Sequence, residues 1–340
     1  MGLLGKHKIA IDLGSEQTII YIDRKGIALR EPSVLALESD TGKVVAFGHE
    51  ALDLDGRTSD RCQVIYPIQH GRIHNYSAAK QLLNHFIKKG LHQVGPRPDV
   101  ALAIPSGLTK VDRKAFERLL KDIDITRAMI LEAPLAGAIG ANLDVEKAKG
   151  RLILDIGKSK MNAAVISYGE IISAETSDFG SEMIDQGIID QVRRGYQIKI
   201  SPASAEELKK EIAYAVLTDS DRSASQRVNG INLANDLPKD MSVQAQDLQA
   251  PVETFITELI QLIRRTLSRV SPELAADILD GGMLVIGGGS LLKRLPERLN
   301  HDLGLIAHLS TSPFDSVILG SGKLLKGMEK QTKQAEQRYR

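Results

Sequence analysis

Two stretches decide how this chain folds. Ile9-Ala10-Ile11-Asp12-Leu13-Gly14 reaches Gly26-Ile27, and Leu152-Ile153-Leu154-Asp155-Ile156-Gly157 reaches Gly169-Glu170-Ile171. In each, an apolar strand ends in Asp-x-Gly, and a second apolar run closes on a glycine fourteen residues after the aspartate. The two aspartates lie 143 positions apart. A repeat of this kind predicts two similar half-domains facing each other. The loops differ. Copy one continues Ser15-Glu16-Gln17-Thr18, small and hydroxyl-bearing, and copy two continues Lys158-Ser159-Lys160-Met161, bulky and cationic.

An aspartate that ends a buried strand before a glycine and small polar residues suits a phosphate–metal site. The tight turn presents backbone N–H groups to phosphate oxygens, and the carboxylate can hold a hydrated Mg²⁺. One Asp-x-Gly occurs at many strand-to-turn junctions, whereas two at matched spacing favour the functional reading, with Asp12 and Asp155 flanking one nucleotide. A third run, Gly287-Gly288-Gly289-Ser290, follows the strand Leu284-Val285-Ile286 and precedes Leu291-Leu292-Lys293, which reads as helical. Glycines there let a backbone approach a flat or anionic ligand. A tight strand–helix turn without a ligand would use the same residues. Beside the duplicated hairpin, the run favours the adenosine end of a nucleotide.

At 340 residues the chain has room for two domains with proper cores. Its 44 basic and 43 acidic side chains leave no field that points to nucleic acid. Aromatics are 4% and Trp is absent, which argues against base-stacking platforms. Cys62 is the single cysteine, so neither a disulfide framework nor a cysteine metal site is expected, and a cytoplasmic setting fits. No signal peptide or membrane-length apolar run is visible. Strand and helix patterns alternate, which sets the class as α/β. Short strands are expected over 8–48 and at Val100–Ile104. A helix is expected over 77–89, and another from Thr109, with Asp112 placed for a capping box and Ala115, Phe116, Leu119 and Leu120 buried. Later helices are expected from Glu182 to Arg194, burying Met183, Ile184, Ile188 and Val192, from Ala205 through Val216, and over 251–269. The polar stretch 218–250 reads as a small strand-rich subdomain.

Further runs, in order along residues 8–327, carry a family resemblance. They are Lys25-Gly26-Ile27, Glu31-Pro32-Ser33-Val34, Gly56-Arg57-Thr58, Pro67 to Gly71, Ile104-Pro105-Ser106-Gly107, Pro134 to Gly140, and Gly287 to Leu292. With the Asp12 hairpin, they make the chain resemble MreB, the bacterial actin homologue. The resemblance implies the actin fold, shared with heat-shock ATPases and sugar kinases: two similar αβ domains around a nucleotide cleft, each with a small insertion. Residues 1–34, 72–150 and 313–340 would form subdomain IA and 35–71 subdomain IB. Residues 151–190 and 250–312 would form IIA and 191–249 IIB. ATP or ADP with Mg would be the cofactor. Asp12, Gly14 and the loop Ser15, Glu16, Gln17 and Thr18 would meet phosphate and metal, with Asp155 the second metal-side carboxylate beside Gly157. Glu206 and Lys209 would lie near the adenosine, and Gly287, Gly288, Gly289 and Ser290 would line the nucleotide. The implied partner is the chain itself, in membrane-apposed protofilaments that organise the cell wall, or a related protein in a co-polymer.

The chain also departs from that family. The family's second hairpin reads Asp-x-Gly-Gly-Gly-Thr-Thr-Glu, where this chain has Asp155-Ile156-Gly157-Lys158-Ser159-Lys160-Met161-Asn162. Lys158 and Ser159 would remove the freedom to adopt φ > 0 and add volume where phosphate oxygens sit. The family's Glu-Glu-Pro, whose second Glu positions the attacking water, is here Glu132-Ala133-Pro134. Ala133 can neither position nor deprotonate a water, and Glu132 should point elsewhere. The ribose-side Gly-Asp-Glu has become Gly180-Ser181-Glu182, and an acidic position is His70. Together these losses imply hydrolysis that is absent or very slow, with no catalytic residue assigned. Lys158 or Lys160 would either pair with a phosphate or stand as a permanent cation against Asp12 and Asp155. The rivals are an active actin-fold ATPase using Lys160 at the phosphate and a non-polymerising adaptor of the same fold. Three segments are candidates for membrane contact at the inner face of the cell membrane: Leu3 and Leu4 beside Lys6 and Lys8, the loop around Leu91 between Gly90 and Pro96, and the basic stretch 321–340.

Overall fold

The computed structural model describes residues 7–57, 60–91 and 98–325. Leu3, Leu4, Lys6, Thr58, Pro96 and the stretch beyond 325 lie outside the described residues. The chain forms two compact units, Met1–Asp144 with Asp315–Arg340, and Val145–Phe314.

In unit 1 the first copy of the repeat is an antiparallel hairpin of β1 (Lys8–Leu13) and β2 (Gln17–Ile22), followed by β3 (Gly26–Pro32). A small three-stranded sheet comes next: β4 (Leu35–Glu38) lies between β5 (Val44–Phe47) and β6 (Cys62–Ile65), beside the short α1 (His49–Leu52). The two-stranded β7 (Ile68–Gln69) and β8 (Arg72–Ile73) lead into α2 (Tyr76–Gly90). Then β9 (Asp99–Ile104), α3 (Lys110–Asp122), β10 (Ala128–Glu132) and α4 (Ala133–Gly140) complete the first pass through the unit. Central strand β1 is covered on both faces, so it reads as a continuous apolar run. Ile9, Ile11 and Leu13 pack with Leu82, Phe86 and Phe116, while Ala10 packs with Ile318 and Leu325 from the other side.

Unit 2 repeats the plan. Its strands β11 (Arg151–Ile156), β12 (Met161–Ser167) and β13 (Glu170–Ser177) form the second copy, and α5 (Glu182–Tyr196) follows. The small sheet of β14 (Ile198–Lys199), β15 (Ser225–Asn232) and β16 (Pro238–Gln244) encloses α6 (Pro202–Ile212) in sequence. Then come α7 (Gln249–Leu267), α8 (Pro272–Gly281), β17 (Met283–Ile286), α9 (Leu295–Leu303) and β18 (Ala307–Leu309). The chain returns to unit 1 with α10, over 316–325. Leu152, Leu154 and Ile156 pack in one core with Ile184, Ile188, Phe255 and Leu259.

The two main sheets share one topology, β3-β2-β1-β9-β10 and β13-β12-β11-β17-β18. Their hairpins share one register: Ile9 pairs with Ile22, and 143 positions later Leu152 pairs with Val165. Each hairpin aspartate also lies beside a parallel strand, Asp12 next to Ala103 and Asp155 next to Ile286. The glycines fourteen residues on have φ of +87° and +75°, the left-handed backbone that the turns into β3 and β13 require.

Some local expectations change. Thr109 does cap α3 through a reciprocal box with Asp112, but Ala115 and Met183 are only half-buried. Helix α6 stops at Ile212 and leaves Val216 outside it, because the chain becomes extended and Ala215 N–H donates to the Lys293 carbonyl at 2.8 Å. The same bond holds 292–293 out of a helix. Gly288–Leu291 is one 3₁₀ turn, and α9 starts only at Leu295, where Pro296 presets the first turn. Leu91 packs against the core of unit 1 rather than projecting from it. Among the described residues no helix is long and apolar enough to cross a membrane.

Candidate functional site

The turn of copy one closes with Gly14 N–H donating to the Gln17 carbonyl at 3.1 Å. The Glu16 carbonyl accepts from Ser33 N–H at 3.0 Å, and Ser15 Oγ accepts from Gly71 N–H at 3.3 Å. Gln17 Oε1 accepts from Arg30 at 3.1 Å, and Arg30 also pairs with Asp315. Ser15, Glu16 and Gln17 thus line the turn with Asp12 half-buried beneath it, but Thr18 departs from expectation. Its side chain is fully buried and its Oγ1 is bonded to Ser33 Oγ at 2.9 Å. As the second residue of β2 it faces the protein rather than the mouth of the turn.

Glu132 ends β10, and its carboxylate accepts from Ser106 Oγ, on the loop after β9, at 2.7 Å. The acid next to Ala133 is therefore engaged by a buried hydroxyl. Ala133 opens α4 and is 8% exposed.

The turn of copy two closes as copy one does, with Gly157 N–H donating to the Lys160 carbonyl at 2.9 Å. Neither Lys158 nor Ser159 has a positive φ, and neither does Ser15 or Glu16. The expected loss of backbone freedom is therefore not a defect, since this turn closes without left-handed residues. Only its side chains have changed. The carbonyls of Gly157 and Lys158 accept from Ser181 and Glu182 N–H at 3.0 and 2.9 Å. Gly180 packs on the turn so closely that a Cβ there would lie 2.2 Å from the Lys158 carbonyl oxygen.

Both lysines are paired within unit 2, and neither pairs with Asp155. Lys158 Nζ lies 3.9 Å from Glu206, which also holds Lys210 at 2.6 Å. Burial pushes the Glu206 carboxyl up, but Lys210, Lys158 and Lys209 outweigh it and hold the group below the usual range. Lys160 is 5% exposed and lies 3.4 Å from Asp178. Lys209 donates to Asp185 at 2.7 Å and to the Ser181 carbonyl at 3.3 Å. Burial nevertheless keeps Asp185 above the ordinary carboxylate range. Asp155 is half-buried, and burial pushes its pKa up to about 6.

The glycine run sits against the same turn. Gly287 has φ +83°, and a Cβ there would meet the Ile156 carbonyl at 2.4 Å and Asp155 Oδ1 at 2.6 Å. At Gly289 a Cβ would meet Ile156 and Ser181, and at Gly288 the ring of Phe314. Ser290 is buried and donates to the Gly287 carbonyl at 2.6 Å. Close packing against the end of β11 thus accounts for Gly287 and Gly289 without a ligand.

Asp155, Gly157, Lys158, Lys160, Glu206, Lys209, Gly287 and Gly289 therefore gather around one turn of unit 2, while Ser290 is turned inward. Asp178, Asp185, Asn162 and Ser106 were not anticipated. Of these, Asp178 follows from hairpin register, since Met161 pairs with Ser177 and the next pair outward is Lys160 with Asp178. The turn backbone and its cations suit nucleotide phosphates. A divalent metal fits less well. Among the described residues no three His, Cys, Asp or Glu side chains cluster to hold one, and the ladder face of Asp155 carries an amide, Asn162, then an ammonium, Lys160.

Two sheets of one topology, each built on the same Asp-x-Gly hairpin, define an actin-like protein of two similar domains. Comparison with known proteins narrows that class. The MreB/Mbl protein family model matches residues 6–333. The cell shape-determining protein MreB of Escherichia coli strain K12 is 34% identical over 325 residues, 94% of this chain and 93% of that protein. Crystal structures of MreB5 of Spiroplasma citri bound to ADP and to AMPPNP superpose with TM-scores of 0.91 and 0.92 at 27% identity. They cover 96% and 98% of this chain and 98% and 100% of theirs. The MamK double helical filament, at 16% identity and TM-score 0.78, covers 95% of this chain and 99% of its own and shares the fold. The chain belongs to the MreB/Mbl family.

Proposed function

We propose that this chain is an MreB-like cytoskeletal protein that forms or joins filaments at the inner face of the cell membrane, binds ATP or ADP, and hydrolyses ATP very slowly or not at all. The observation that carries the last point is Ala133. The family's water-positioning glutamate is replaced by a buried methyl group, and the neighbouring acid, Glu132, is held by Ser106 at 2.7 Å. A water near Ala133 would find no base there.

The binding half of the reading rests on the turns. Both keep the same backbone closure and register, so phosphate oxygens would meet peptide N–H groups of ordinary geometry. Glu206 and Lys209 would address the adenosine, and the lysines of the second turn the phosphates. MreB5, in the same family, is crystallised with both a diphosphate and a non-hydrolysable triphosphate. When bound, the nucleotide would act as a structural ligand whose presence favours assembly. The rival reading, Lys160 driving turnover, gains nothing from the structure, because a cation at the phosphate supplies no base for water.

The test restores the missing parts. Ala133→Glu combined with Lys158→Gly, Ser159→Gly and Lys160→Thr is expected to raise phosphate release well above the parent chain. No gain would sink the claim that these positions alone silence the site.

A further inference from the structure

Helix α6 and the glycine run are joined twice, and only one of the joints lies beside the turn of copy two. We infer that Arg294 is a positioning residue for the adenosine end of the site. It clamps the segment after α6 onto the segment after 287–290, and so fixes how far Glu206 and Lys209 stand from the glycines. The inference rests on the nucleotide reading above.

The first joint is Ser181. Lys209 donates to its carbonyl at 3.3 Å, and a Cβ added at Gly289 would lie 3.1 Å from its Cβ. The second joint is a strap. Beyond the end of α6, Tyr214 forms a parallel bridge with Lys293, and Ala215 N–H donates to the Lys293 carbonyl at 2.8 Å. Lys293 also donates to the Glu211 carbonyl in the last turn of α6, and Arg298 of α9 donates to the Ala215 carbonyl at 3.1 Å. Lys293 follows Ser290 by three positions, and Tyr214 follows Lys209 by five. With so little chain between, any shift of the strap passes directly to both walls.

Arg294 closes the strap at its far end. Nη1 donates to the Val216 carbonyl at 3.1 Å and to Asp221, and Nη2 reaches Asp221 Oδ1 at 3.3 Å. A planar fork that grips a carbonyl and both oxygens of a carboxylate fixes direction as well as distance. The guanidinium lies 5.3 Å from the centroid of the Tyr214 ring, which Lys293 flanks at 5.0 Å. Asp221 is 13% exposed, and its pKa is held down to about 2, first by the Arg294 hydrogen bond and then by Thr218, so the pair stays ionised at ordinary pH. Arg294 does this from a left-handed backbone, φ +61°, that a residue with a Cβ adopts only at a cost. Glycine serves that conformation at Gly304, at the other end of α9, so the backbone alone does not call for an arginine at 294.

Calorimetric titration of the full chain with ADP reads the effect, with circular dichroism to confirm folding. Arg294→Met is expected to weaken ADP binding about tenfold. Asp221→Asn removes the same clamp from the other side and is expected to reproduce that loss, so it carries the test where Arg294→Met does not fold. Lys209 is 13% exposed and committed to Asp185, whereas Glu206 is 30% exposed, so Glu206 is the group that the clamp presents. A clamp that acts through Glu206 must lose most of its effect when Glu206 is gone. Added to Glu206→Gln, either clamp variant should weaken binding by no more than about a further threefold. A full, independent loss in that double variant would mean that Arg294 merely holds the fold, and would overturn the inference while leaving the nucleotide reading intact. Unchanged ADP affinity in both single variants, or failure of both to fold, would do the same. Absence of ADP binding by the parent chain overturns the inference and the nucleotide reading together.

Discussion

Replacing Asp155 with asparagine should stabilise the nucleotide-free protein, although the residue stands at the centre of the proposed site. Asp155 is the next-to-last residue of β11, with Asn162 across the ladder and the backbone of Gly287 against its carboxylate. Burial pushes its pKa up to about 6, against an ordinary value near 4 in the unfolded chain. Between those two pH values the unfolded state gives up its proton first. Stability therefore falls as pH rises through the window, and the full penalty is present above pH 6. At 1.36 kcal/mol for each pH unit between the two values, the charge costs about 3 kcal/mol at pH 8 and about half that at pH 5. Asp155→Asn keeps the shape and removes the charge. Urea unfolding followed by circular dichroism should show the variant more stable by up to about 3 kcal/mol at pH 8, with the gain shrinking towards pH 5. A loss of stability at pH 8, or a gain independent of pH, would refute the reasoning. A buried charge kept at this cost is what a ligand-binding position looks like.

Three further outcomes are expected. Gly287→Ala forces a Cβ into left-handed backbone and against the Ile156 carbonyl at 2.4 Å, so thermal unfolding should show a loss of about 2 kcal/mol or more. Thr18→Val removes a buried hydroxyl pair and strands Ser33 Oγ, which should lower the urea midpoint by about 1–2 kcal/mol equivalent. Lys209→Met leaves buried Asp185 without its 2.7 Å partner. The loss should be about 3 kcal/mol at pH 8 and smaller at pH 5, where Asp185 can take up a proton.

Much of this is legible in the sequence, for identifiable reasons. Hairpin register follows from period-2 alternation, so the 143-residue spacing carries every pair of β1–β2 over to β11–β12. The cap of α3 was legible because Thr109 and Asp112 are local partners. What failed was set by distant contacts. Leu291-Leu292-Lys293 looks helical by itself, but Leu292 and Lys293 are held out of a helix by Ala215, far away in sequence. The partners of Lys158 and Lys209 come from α6 and α5, and no spacing rule connects those helices to the turn. Two misreadings were avoidable. Thr18 is a strand residue opposite Leu13, so it belongs to the ladder and not to the turn. Lys158 and Ser159 break a glycine-rich pattern, but copy one, with Ser15 and Glu16, shows that this turn closes without glycine at those positions.

Phosphate release measured on ATP-grown assemblies tests the central claim most directly. The purified chain is incubated with ATP, pelleted and imaged, and phosphate is counted in the same tube. Filaments should form with ATP and with AMPPNP alike, with phosphate release indistinguishable from a protein-free control. Steady turnover at the rate of a family member that retains the Glu-Glu-Pro glutamate would contradict it.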